Sequence, residues 1–168
     1  MTSPKLQVVL IEPEIHWNTG NIGRTCLATG TALHLVKPLG FSMEAKQLRR
    51  AGLDYWPEVS VKVWSNWSTL ETKLAMWDPP YFISPEAERT IWDTCFESNS
   101  VLVFGKETEG LPTTIRQSYQ ERLVSIPMHC GTVRSLNLST SVGIVIYEAL
   151  RQLQSFSNNR SRMSETNI

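Results

Sequence analysis

Apolar runs punctuate this chain at intervals. Leu6-Gln7-Val8-Val9-Leu10-Ile11 is nearly continuous and closes on Glu12-Pro13. A short run with no polar face reads as a strand covered on both sides, as in a parallel sheet. Residues 32–36 repeat the pattern before Lys37-Pro38, and residues 59–64 alternate as V-S-V-K-V-W. Residues 81–83, 101–104 and 122–126 complete six expected strands. Helix-like stretches lie between them. Residues 25–29 form a short one, residues 43–53 carry mixed charge up to Gly52, and residues 67–77 follow Asn66 as candidate N-cap. Pro112 suits a first helical position, which predicts a helix over 112–119. The alternation predicts an α/β domain with a mostly parallel sheet flanked by helices.

The last helix starts at Leu138. Val142, Val145, Ile146, Ala149, Leu150 and Leu153 fall on one stripe at about 100° per residue. Ile144 and Tyr147 fall opposite, near Arg151. One stripe serves the core; a second patch is either scattered surface or a contact with another copy.

Composition narrows the class. With 168 residues, 41% hydrophobic and 19% charged, the chain can bury a core as one domain, residues 1–154. Residues 155–168 form a polar tail, expected to be mobile. Sixteen basic residues balance sixteen acidic ones, so an RNA-binding reading needs locally sorted charge. There is no apolar run of about 18 residues and no signal-like start, so neither a membrane span nor secretion is expected. Cys26, Cys95 and Cys130 are odd in number and widely spaced, which points to a reducing, cytoplasmic setting. No C-x-x-C pair occurs, and the adjacent His129 and Cys130 would point apart on extended backbone, so no metal is expected.

Three Gly-containing loops, the first and third also holding Asn, follow expected strands: residues 18–24, 105–112 and 131–139. Loops at the carboxyl ends of parallel strands are where α/β proteins bind ligands. The first holds G-x-x-G without a dinucleotide fingerprint, and the second lacks the Lys-Ser/Thr of a phosphate-binding loop. Each alone could be no more than a turn or cap.

Together, N-T-G-N-I-G-R-T-C (18–26), F-G-K-E-T-E-G-L-P (104–112) and I-P-M with R-S-L-N-L-S (126–128, 134–139) resemble the three motifs of the SPOUT, or trefoil-knot, RNA methyltransferases. H-L-V-K-P-L-G-F (34–41), L-R-R-A-G-L-D-Y (48–55) and Y-E-A-L-R-Q (147–152) resemble the small branch that 2′-O-methylates the wobble nucleotide of tRNA, cytidine or uridine at position 34. The resemblance covers about residues 6 to 154. It implies a C-terminal deep trefoil knot, a homodimer, S-adenosylmethionine as cofactor and a tRNA anticodon stem-loop as substrate.

Carried over residue by residue, the resemblance places the cofactor against Ile83, Gly105, Glu107, Ile126, Met128, Ser135 and Leu136. Arg24 matches the catalytic arginine. A guanidinium is a poor base, so we expect it to clamp a phosphate and the developing 2′-oxyanion. Arg24, Arg50 and Arg134 are the expected RNA contacts, and Asn21 and Asn137 the expected fasteners of the knotted loops. The chain departs from the family at Lys106, Glu109 and Val133 and at Ser139-Thr140-Ser141. The competing readings are a non-catalytic knotted module that binds RNA or cofactor, and 2′-O-methylation of another RNA.

Overall fold

The computed structural model describes residues 6–43, 54–77 and 80–165, with side chains through residue 154. Six parallel strands form one sheet in the order β3-β2-β1-β5-β4-β6. The strands are β1 (Gln7–Ile11), β2 (Ala32–Val36), β3 (Val61–Trp64), β4 (Pro80–Ile83), β5 (Val101–Phe104) and β6 (Leu123–Val124). The helices are α1 (His16–Thr29), α2 (Trp67–Leu74), α3 (Thr113–Ser118) and α4 (Leu138–Glu165). The sequence places all six strands, with β3 and β6 shorter than expected. Residues 56–58 form a 3-10 turn before β3, and β6 has a single neighbouring strand, β4.

The near-continuous apolar run of β1 has a direct explanation. Leu6, Val8 and Leu10 face one core, with Ile22, Cys26, Val142, Val145 and Ile146. Val9 and Ile11 face a second core on the other side of the sheet, with Trp64, Leu70, Phe82 and Ile115. A strand covered on both faces favours apolar residues at nearly every position. The stripe on α4 behaves as expected: Val142, Val145, Ile146 and Ala149 are fully buried, while Ile144 and Tyr147 stay exposed.

The largest correction concerns α1. Residues 18–24 read as a loop because two glycines weaken a helix by about 1 kcal/mol each, yet they lie inside a 14-residue helix. Tertiary packing reverses the local preference. A Cβ on Gly23 would sit 2.5 Å from the Trp56 ring, so glycine admits the indole. The Tyr55 hydroxyl donates to the Gly20 carbonyl at 2.8 Å. At the C-terminal end Gly30 is left-handed (φ 67), and the Thr31 N–H returns to the Cys26 carbonyl at 2.9 Å.

Helix α2 starts as expected, with Asn66 accepting from the Thr69 N–H at 2.9 Å. Pro112 is the N-cap of α3, one place before the expected position. The helix expected over 43–53 falls, from residue 44 on, outside the described residues, and Arg50 with it.

One buried polar group merits a prediction. His34 on β2 is 6% exposed. The Trp64 indole N–H donates to its Nδ1 at 3.0 Å, so Nε2 carries the proton and donates to Gln7 at 3.0 Å. Burial, aided by nearby Lys62, pushes His34 down to about 4. The unfolded chain, with an ordinary value near 6.5, binds the proton first as pH falls. Stability is therefore complete above about pH 6.5 and falls by about 3 kcal/mol as pH drops to about 4. Urea unfolding of wild type should weaken across that window. His34→Gln should flatten the slope, and an equal slope in both proteins rejects His34 as the cause.

Candidate active site

Three segments reach one cavity at the carboxyl ends of β4, β5 and β6. It measures about 660 Å³ and is lined by residues 83–86, 104–111, 126, 128 and 134–138, with Ile15, Asn18, Arg116 and Ser141. The strand order reverses between β1 and β5, and the cavity opens beside that switch point, where open α/β sheets hold ligands. Its size suits a small-molecule or cofactor site.

The loop after β5 supplies the tightest geometry. Lys106 and Gly110 exchange backbone hydrogen bonds at 3.2 and 2.9 Å, folding residues 106–110 into a turn. Gly110 is left-handed, φ 69. Beneath this turn a Cβ on Gly105 would lie 1.9 Å from the Gly110 carbonyl carbon, so only glycine fits. Ile83, Phe104, Ile126 and Leu136 give the cavity apolar wall, and Ser135 and Arg134 bring polar groups to it.

Side chains tie the segments together. Glu107 accepts from the N–H groups of Glu14 (2.7 Å) and Ile15 (3.2 Å) and from the Asn18 amide (3.0 Å). Helix α1 has no side-chain cap of its own, since its N-cap is Ile15, and Glu107 supplies the acceptor from 92 residues away. Glu14 reciprocates, accepting from the Thr108 N–H and hydroxyl at 3.1 and 3.0 Å. The Asn18 carbonyl oxygen then accepts from the Asn137 amide at 3.0 Å. Asn137 in turn caps α4, accepting from the Ser139 N–H (2.9 Å), the Ser139 hydroxyl (2.7 Å) and the Thr140 N–H (3.3 Å). A continuous relay, Glu107–Asn18–Asn137, thus joins the β5 loop, the start of α1 and the start of α4.

Charges at the cavity are largely paired. Lys106 lies 2.9 Å from Glu109 and 3.7 Å from Glu12, and its bond to Glu109 raises its pKa, so it stays cationic. Arg116 pairs with Glu86 across the wall. Glu109 thus neutralises a neighbouring lysine. Cys26 is buried, and burial pushes its thiol up to about 12, so it stays protonated and inert.

All seven residues expected at the cofactor site line the cavity: Ile83, Gly105, Glu107, Ile126, Met128, Ser135 and Leu136. Arg134 lines it too. For Glu107 the structure adds a correction: its carboxylate is engaged by α1, which makes it a support of the cavity wall. Asn137 is a fastener as expected. Asn21 is not: it sits on the exposed side of α1, where its carbonyl accepts from Thr25. Asn18, 7% exposed, does that work instead. The motif holds asparagines at both 18 and 21, and only the helical phase of α1 decides which one faces the loops. Arg24 is also exposed and lies outside the cavity lining, with its guanidinium 4.6 Å above the Tyr55 ring.

The relay gives a second prediction. Glu107→Gln removes the charge and sets an amide N–H₂ against other donors. Charge-assisted bonds of this kind contribute about 1.5–3 kcal/mol, so thermal unfolding should show a loss of that order. Unchanged melting would mean the carboxylate does not hold α1.

Known proteins resemble this chain over nearly its full length. A tRNA (cytidine(34)-2′-O)-methyltransferase of Methylovorus glucosotrophus is 47% identical over 146 residues, covering 86% of this chain and 94% of the relative. A solved structure described as giving structural insights into the 2-OH methylation of C/U34 on tRNA is 39% identical, with a TM-score of 0.83, covering 90% of this chain and 97% of the other. The SpoU methyltransferase AviRb of Streptomyces viridochromogenes, solved in complex with AdoMet, shares the fold at 23% identity and a TM-score of 0.73, covering 92% of this chain and 60% of its own. Residues 5–147 match one family description throughout, and the chain belongs to the SpoU rRNA Methylase family.

Proposed function

We propose that this protein is an S-adenosylmethionine-dependent methyltransferase that acts on the ribose 2′-hydroxyl of nucleotide 34 in tRNA. The observation that carries this reading is the convergence of three sequence-distant motifs on one cavity beneath Gly105. The residues present fit the cofactor. Ile83, Ile126 and Leu136 offer apolar surface to an adenine, and Gly105, by leaving room for the Gly110–Leu111 backbone, lets the β5 loop fold tightly at the cavity wall. Bound there, the cofactor supplies a methyl group already activated on a sulfonium sulfur, which a ribose 2′-oxygen can take. The protein is left with alignment and the management of one proton.

Arg24 belongs to that task. Its guanidinium lies 4.6 Å from the Tyr55 ring centroid, a cation–π contact that favours one placement of the fork before substrate arrives. It would grip the adjoining phosphate and stabilise charge growing on the 2′-oxygen. Arg24 and the cavity of the same chain do not meet, so the proposal requires a second copy. Trp17, Asn21, Arg24 and Ala28 form one exposed stripe on α1, and Ile144, Tyr147 and Arg151 another on α4. The two helices pack side by side, so these stripes offer a shared face with exposed apolar rings. A homodimer closed through it would bring Arg24 to the partner's cavity. The resemblance further implies a C-terminal deep trefoil knot, and the cysteine usage a cytoplasmic setting.

The test uses labelled S-adenosylmethionine and bulk tRNA, followed by alkaline hydrolysis. A 2′-O-methyl group removes the internal nucleophile, so label should survive in a dinucleotide. Label confined to mononucleotides means base methylation and rejects the proposal.

A further inference from the structure

Of the two tryptophans most open to solvent, Trp17 lies on the α1 stripe, while Trp92 stands apart from it on the segment between β4 and β5. Trp92 is 63% exposed. Its ring lies 6.1 Å from that of His129, tilted 32°, and His129 is also exposed. An indole this open normally sits on a loose loop, yet this turn is tightly built. The Thr90 hydroxyl donates to Asp93 at 2.6 Å and accepts from the Trp92 N–H at 3.2 Å, while the Thr90 carbonyl accepts from the Thr94 hydroxyl at 2.8 Å. Ile91 is buried beneath it, and its N–H donates to the Ser125 carbonyl at 2.9 Å. Ser125 donates back to the Arg89 carbonyl at 2.9 Å, so the turn is bolted to the end of β6. From Ser125 the chain runs on to Ile126 and Met128, both in the cavity lining, and then to His129.

We infer that Trp92 and His129 form a stacking platform for an unpaired base next to the nucleotide whose ribose is methylated. This inference rests on the proposed activity and adds a determinant of substrate binding to it. Rigid aromatic rings beside a reaction site are what single-stranded RNA recognition uses, because every base offers a flat face. The platform is two rings wide, and the exposed residues next to Trp92 along the chain include the charged Arg89 and Asp93, which suits one base better than a protein surface. The cavity lining continues directly into it through Met128, which places the stacked base beside the reacting ribose. Arg134, six residues beyond Met128, offers a cation to the same stretch of backbone.

The experiment uses the full chain and anticodon stem-loop RNAs carrying 2-aminopurine one nucleotide before or after the methylated position. Wild type should quench one of the two probes on binding. Trp92→Ala should lose that quench and raise KM for the RNA by roughly five- to a hundredfold. Its cofactor affinity, oligomeric state and melting temperature should match wild type, and Trp92→Phe should recover most of the binding. Methylation by wild type with an unchanged KM and quench in Trp92→Ala overturns the platform alone. Conversion of the variant to monomers assigns the surface to a subunit contact and also overturns it. Failure of wild type to methylate either RNA removes the activity on which the platform depends.

Discussion

Gly105→Ala should weaken cofactor uptake and lower stability together. The added methyl would lie 1.9 Å from the Gly110 carbonyl carbon and 2.1 Å from the Leu111 nitrogen. These are backbone atoms of a turn closed by two hydrogen bonds, so no side chain can rotate aside. The turn must open. Overpacking of this kind costs about 3 kcal/mol, which for a chain of this size lowers Tm by roughly 6 °C or more. The same movement carries Glu107 away from α1 and Asn18, so the cavity loses its shape along with its floor. Calorimetry should find S-adenosylmethionine affinity reduced at least about tenfold, the equivalent of 1.4 kcal/mol. Wild-type affinity in the variant would mean that the β5 loop is not part of the cofactor site.

Arg24→Ala should behave in the opposite way, leaving cofactor affinity within about twofold and removing turnover. Loss of one preorganised charge-stabilising donor typically costs about 10²–10³ in rate. Arg24→Lys should recover little, since an ammonium cannot make two parallel bonds to a phosphate. Near-full turnover in Arg24→Lys would defeat the clamp. The geometry also makes a sharper demand, because Arg24 lies outside the cavity of its own chain. Arg24→Ala and Gly105→Ala chains, each inactive, should complement when unfolded and refolded together. Mixed dimers then carry one site with both defects and one with neither, returning about a quarter of wild-type activity. No recovery, with mixed dimers shown to form, would place Arg24 and the cavity in the same chain.

The inner strands were legible because a sheet covered on both faces leaves a nearly unbroken apolar signature, and β3 was legible from its alternation. The cavity residues were legible through motif resemblance: Ile83, Gly105, Ile126, Met128, Ser135 and Leu136 are scattered over 54 positions, and nothing in their spacing alone brings them together. Helix α1 was legible only over its end, residues 25–29. Its two glycines and polar Asn18-Thr19 opening argue locally for a loop, and the forces that make it helical come from Trp56, Tyr55 and Glu107.

From its order of residues alone, this chain determined a parallel α/β sheet and a two-faced final helix. Those properties follow from periodicity, which is local and survives without the fold. Only the tertiary structure decided that Asn18 and not Asn21 ties the loops, that Glu107 serves a helix it does not belong to, and that Arg24 turns away from its own cavity. Each depends on the rotational phase of α1. That phase is set by a tryptophan more than thirty residues downstream and a carboxylate more than ninety residues away, and no window of neighbouring residues contains it.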